Sequence, residues 1–75
     1  MVIFEVKPGG PIVFTADVEG FGLVTVTSRR PRIFNGRLMN PPVLRSALEM
    51  VEQYADDHKD ELAEHYGLIA KQDAA

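Results

Sequence analysis

Apolar and polar residues alternate along roughly the first forty positions and then switch to a helical spacing. Val2, Phe4 and Val6 fall on one side of a short strand, with Ile3 and Glu5 on the other. Pro8-Gly9-Gly10-Pro11 is turn punctuation. From Ile12 to Val18 the alternation puts Ile12, Phe14, Ala16 and Val18 together and Val13, Thr15 and Asp17 opposite. That period of two predicts a half-buried strand. Gly20-Phe21-Gly22 interrupts it, and Leu23–Ser28 follows as a β-branched strand with Val24 and Val26 inward. Arg29-Arg30-Pro31 closes that strand. Arg32-Ile33-Phe34, Asn35-Gly36 and Arg37-Leu38-Met39 then read as a two-residue hairpin, because Asn-Gly accepts the positive φ angles of a type I′ turn.

Asn40 is placed to cap a helix and Pro41 to occupy its first turn. Leu44, Leu48, Val51, Ala55, His58, Leu62 and His65 follow at alternating steps of four and three, one face of a helix ending at Tyr66 before Gly67. Such a helix is about 39 Å long at 1.5 Å per residue, more than a 75-residue domain spans. Its end projects, or it breaks near Asp56-Asp57, or it packs on a second copy. Leu68 and Ile69 can dock. The expected fold is α+β: an antiparallel sheet of three to five strands over residues 2–39, packed by one C-terminal helix over about 41–66. Residues 1–70 form a single domain and 71–75 a flexible tail. One helix covers one sheet face and leaves the other to water or a partner.

Composition narrows the classes. The 75 residues are 45% apolar and 25% charged, with no Cys and no Trp. That excludes a disordered chain, a disulfide scaffold and a Cys-based metal site. A domain this small buries only about 60% of its unfolded surface, which leaves little room for a catalytic pocket. The opening Met1-Val2-Ile3-Phe4-Glu5 lacks a basic leader, and its apolar run is cut by Glu5. Together with the lack of Cys this points to the cytoplasm.

The net charge of -3 conceals a division. Residues 28–46 hold Arg29, Arg30, Arg32, Arg37 and Arg45 and no acid, whereas residues 47–75 hold eight acids against Lys59 and Lys71. Arg suits bidentate contact with phosphate or carboxylate, so the arginines read as an anion-binding patch or as partners of the acidic helix. The helix acids read as a docking face or as a solvated face with pairs such as Glu61 to His65. The expected partner-binding residues are Arg29, Arg30, Arg32 and Arg37 with Glu52, Asp56 and Glu64. Leu44, Leu48, Val51, Ala55 and Leu62 form a heptad-like seam that predicts a homodimer.

Catalytic and metal patterns are weak. His58, Glu61 and His65 share a helix face, but their spacing is not that of a zinc protease, and no metal or cofactor is expected. There is no Cys nucleophile, no Gly-x-Ser-x-Gly elbow and no phosphate loop with a following Lys and Ser or Thr.

The Leu23-Val24-Thr25-Val26 strand, Gly36-x-Leu38, Ala47-Leu48-x-x-Val51 and His58-Lys59-Asp60-Glu61-Leu62 together span Gly22 to Tyr66. This stretch resembles the C-terminal half of a family of small prokaryotic domains of unknown function found in toxin–antitoxin-like loci. That family carries a His-x-His element in its N-terminal half, and this chain has no His before His58. The resemblance implies a prokaryotic or phage accessory protein and assigns no site residue. The expected function is non-enzymatic protein–protein interaction of regulator, antitoxin or inhibitor type with a larger protein. The alternatives are nucleic-acid binding through Arg29–Arg37 and a small toxin or hydrolase dependent on His58 or His65.

Overall fold

A computed structural model describes residues 1–7, 10–37 and 40–73, the side chains of 70–73 excepted. Four strands, β1 (Val2–Val6), β2 (Ile12–Val18), β3 (Gly22–Arg30) and β4 (Ile33–Gly36), precede two helices, α1 (Pro41–Asp57) and α2 (Lys59–Asp73). The strands form one antiparallel sheet in the order β1-β2-β3-β4, each paired with its neighbour in sequence. The fold is α+β, with both helices on one face.

The alternation does what its period requires. Ile12, Phe14, Ala16 and Val18 from β2 and Val24 and Val26 from β3 are buried against the helices. Val2, Phe4, Val6 and Phe34 close the margins of that face. The opposite face carries Ile3, Thr15, Leu23, Thr25 and Thr27, and no described element covers it. Phe14 lies at the centre, with Phe34 edge-on at 5.6 Å and Tyr54 at 6.4 Å between centroids. Such pairs add about 0.5–1.5 kcal/mol each beyond area burial.

The β2–β3 turn is tight, with the Phe21 N–H donating to the Val18 carbonyl at 3.0 Å. Gly20 (φ 80) and Gly22 (φ 113) take angles that L-residues avoid. The next hairpin corrects the sequence reading. Arg30 pairs with Ile33, so the turn is Pro31-Arg32, and Asn35-Gly36 lies inside β4 opposite Thr27 and Val26. Pro followed by a residue with positive φ is type II turn chemistry, and here that residue is Arg32 (φ 68). Gly36 serves close packing instead: a Cβ there would lie 2.6 Å from Leu44 Cδ1. Leu38 and Met39, the far arm of the expected hairpin, lie outside the described residues, as do Pro8, Gly9, Ala74 and Ala75.

Asn40 stands at the N-cap of α1 with Pro next in the first turn, but its side chain makes no capping bond; its carbonyl accepts from Leu44 N–H at 3.0 Å. α1 lies across all four strands, seated by Ala47 and Val51, which are fully buried. The expected single helix breaks at His58 (φ −119, ψ 28), one residue past Asp56-Asp57. The break turns α2 so that Leu62, Tyr66 and Ile69 reach the core, while Leu68 stays exposed. The single apolar face expected from Leu44 to His65 is therefore two faces: His58 is exposed, and Tyr66 and Ile69 replace it. Gly67 is not a stop. It lies within α2 on an exposed side with open space around it. Among the described residues, no helix is long and apolar enough to cross a membrane.

Candidate functional site

The corner between α1 and α2 faces the Pro31-Arg32 turn, and a groove of about 830 Å³ opens between them. Phe34, Ala55, Leu62, Ala63 and Tyr66 supply its apolar lining. The charged lining residues are Glu49, Glu52 and Asp56 from α1, Lys59 and Asp60 from α2, and Arg32 from the turn. All six are exposed.

Local structure explains each wall. The four acids 49, 52, 56 and 60 recur at steps of three, four and four, which keeps them on one side of the helical segment even across the break at His58. Asp60 and Glu61 sit in the first turn of α2, where the helix dipole favours negative charge. Asp56 and Asp57 sit in the last turn of α1, which holds no basic residue, and there the dipole opposes them. Arg32 Nη2 approaches Asp56 Oδ1 at 4.0 Å across the groove mouth. Both side chains are largely exposed, so the pair contributes roughly 0–1 kcal/mol.

Behind Arg32 the turn is anchored from inside. β3 and β4 shift register between Thr27 and Arg30, and Ser28 is buried beneath that irregularity. Tyr66 donates its hydroxyl to Ser28 Oγ at 3.3 Å, and Ser28 donates onward to the Arg30 carbonyl. Burial pushes the Tyr66 phenol above its ordinary value, partly offset by the Ser28 hydrogen bond. α2 is thereby tied to the strand that presents the arginines.

Of the expected partner-binding residues, Arg32, Glu52 and Asp56 meet in this groove. Arg29 and Arg30 instead line a smaller hollow of about 360 Å³ beside Thr27, Ile33 and Asn35. Arg37 and Glu64 are exposed and line neither. The expected dimer seam is largely internal: Val51 and Leu62 are buried in the chain's own core, and Leu48 and Ala55 pack against it.

The histidines pack on aromatic rings. His58 stacks on Tyr54 at 4.1 Å, and its Nδ1 lies 2.9 Å from the Tyr54 carbonyl. His65 meets Phe4 edge-on at 5.5 Å. Among the described residues, no group of three or more His, Asp or Glu side chains is placed to hold a metal ion.

Compared with protein-family models, curated proteins and solved structures, the chain shows no significant match. The sequence reading missed Glu49, Lys59, Asp60 and the apolar residues Phe34, Ala63 and Tyr66. The acids carried a signal in their helical spacing. The apolar residues did not, because only the turn of α2 at His58 brings Ala63 and Tyr66 into one groove with Phe34 of β4.

Proposed function

We propose that this chain is a non-enzymatic protein-interaction module of the kind that small bacterial or phage regulators, antitoxins and inhibitors represent, working in the cytoplasm on a larger protein. The observation that carries this reading is the groove at the α1–α2 corner. An apolar floor within a charged, exposed rim is how recognition surfaces combine burial with specificity. Arg32 adds weight. A non-glycine residue held at φ 68 costs on the order of 1–2 kcal/mol, and such outliers concentrate at functional positions.

The test is chemical cross-linking from Lys59 in lysates of the organism that encodes the chain, comparing the wild type with Ala63→Arg. Ala63 is exposed in the groove wall, so the substitution fills the groove and leaves the fold intact. The expected result is a partner cross-linked by the wild type and lost from the variant at unchanged circular dichroism. A variant that retains every wild-type cross-link removes the reading.

A second reading is nucleic-acid binding, favoured by the placement of Arg29 and Arg30 beside Thr27 and Asn35 at one end of the sheet. Arginine contacts to phosphate give affinity that falls steeply with salt. A mobility shift at low salt, abolished by Arg30→Glu with Arg32→Glu, supports it, and no shift removes it.

A further inference from the structure

We infer that the occupant of the groove is a basic amphipathic segment of another protein, with lysine or arginine side chains set against the rim and apolar side chains on the floor. This rests on the reading of the groove as a protein-binding site and adds the chemistry of its partner. Two independent features carry it.

The first is charge complementarity. Glu49, Glu52, Asp56 and Asp60 line the groove against Arg32 and Lys59, and Arg32 already leans on Asp56. The rim therefore presents excess negative charge beside an apolar floor, which selects a cation with apolar neighbours. From Glu49 to Asp56 the α1 wall runs about 10 Å at 1.5 Å per residue. An occupant touching both ends is a segment of about two helical turns, not a single side chain.

The second is the placement of Asp56 and Asp57 in the last turn of α1 with no basic residue beside them in that turn. Carboxylates there face the negative end of the helix dipole, an arrangement that opposes helix stability in the free chain. A cation entering at this point relieves both the carboxylates and the last carbonyls of α1. Asp60 and Glu61, in contrast, are accommodated by the start of α2. On the groove side the charge at the end of α1 meets Arg32 at Asp56, at 4.0 Å in a largely exposed pair that contributes little.

The test uses a fluorescein-labelled amphipathic helical peptide built of lysine and leucine, titrated against the full chain by anisotropy. A peptide with glutamate in place of lysine is the control. The expected result is saturable binding of the lysine peptide and none of the glutamate peptide. Affinity falls about tenfold for Ala63→Arg and for Glu52→Lys with Asp56→Lys, and falls with added salt as exposed charge pairs are screened. Thr25→Lys, on the uncovered sheet face, leaves binding unchanged. Equal binding of the two peptides, or wild-type affinity in both groove variants, overturns the inference. So does sedimentation showing a dimer that Glu52→Lys with Asp56→Lys dissociates, because a second copy then fills the groove with its own arginines. Failure of the lysine peptide while Lys59 still cross-links a partner lost by Ala63→Arg refutes only the chemistry of the occupant. Retention of every cross-link by Ala63→Arg refutes the groove reading itself.

Discussion

The hairpins β2–β3 and β3–β4 share a strand and differ in almost everything else. The first pairs seven consecutive residues, from Ile12↔Ser28 to Val18↔Gly22, and turns on glycines at positive φ. The second pairs Val26↔Gly36, Thr27↔Asn35 and Arg30↔Ile33 across a register shift, and turns on an arginine at positive φ. One is built for stability, with each conformational demand met by the residue type that meets it most easily. The other accepts an irregular ladder and a strained backbone at Arg32, and it forms a wall of the groove. Departures from local rules cluster where a protein does something besides fold, and here they cluster on one hairpin.

The largest effect is expected where the irregular hairpin meets α1. Gly36→Val puts methyl groups where Leu44 Cδ1 already crowds a Cβ position, which forces the Leu44 side chain aside and costs about 1–3 kcal/mol by overpacking. Leu44→Ala in the same chain should recover much of that loss in urea titrations. If Gly36→Val is neutral, Gly36 has no packing role and the second hairpin is more tolerant than described.

Gly22→Ala tests the regular hairpin. At φ 113 an alanine is strained by on the order of 1–2 kcal/mol. Space is not the cause, since nothing lies within 4 Å of the added methyl. Thermal melts should show the loss with no change in groove binding.

Ser28→Ala removes the link between Tyr66 and the Arg30 carbonyl, at about 1 kcal/mol for a partly buried hydrogen bond. Its pH behaviour is distinctive. Tyr66 has a phenol pKa raised above the ordinary value of 10.0, chiefly by burial. The neutral form is therefore favoured by folding, and its stabilising contribution is complete below the unfolded value and lost as pH rises through the folded one. Denaturation midpoints compared at neutral and strongly alkaline pH should fall on the alkaline side in the wild type. Tyr66→Phe should show a smaller fall.

The smallest effect has the opposite sign. Arg32→Gly relieves the positive φ and should stabilise the chain by about 1 kcal/mol, while strengthening binding of the lysine peptide by freeing Asp56 at the groove mouth. A more stable chain with unchanged binding would make Arg32 an incidental turn residue.

Much of the fold was legible because its periods are clean. Phe14 and Val26 are buried as their alternation requires, and Ala47 and Val51 seat a helix that starts at the Asn40-Pro41 signal. The turn of the second hairpin was misplaced because Asn-Gly satisfies a local rule that Pro31-Arg32 satisfies less obviously, and a contact 8 residues away, from Leu44, decides what Gly36 is for. The helix break near Asp56-Asp57 was one of the outcomes its excess length offered, whereas the continuation through Gly67 was hidden. The gain from bringing Tyr66 to Ser28 is a contact 38 residues apart, outside any local window. The site divided in the same way. Arg32, Glu52 and Asp56 stood out by charge, whereas Phe34 and Ala63 became visible only once α2 had turned toward β4.

The neighbour-to-neighbour order of the strands also sets how this chain assembles in time. Every strand pairs with the one made just before it, so short loops are closed first and little entropy is lost in finding distant partners. During synthesis the meander leaves the ribosome before α1 and α2 do. Its inner face, led by Ile12, Phe14 and Val26, then waits uncovered for Val51 and Leu62. Docking of α1 and α2 covers this face and completes the groove in the same event.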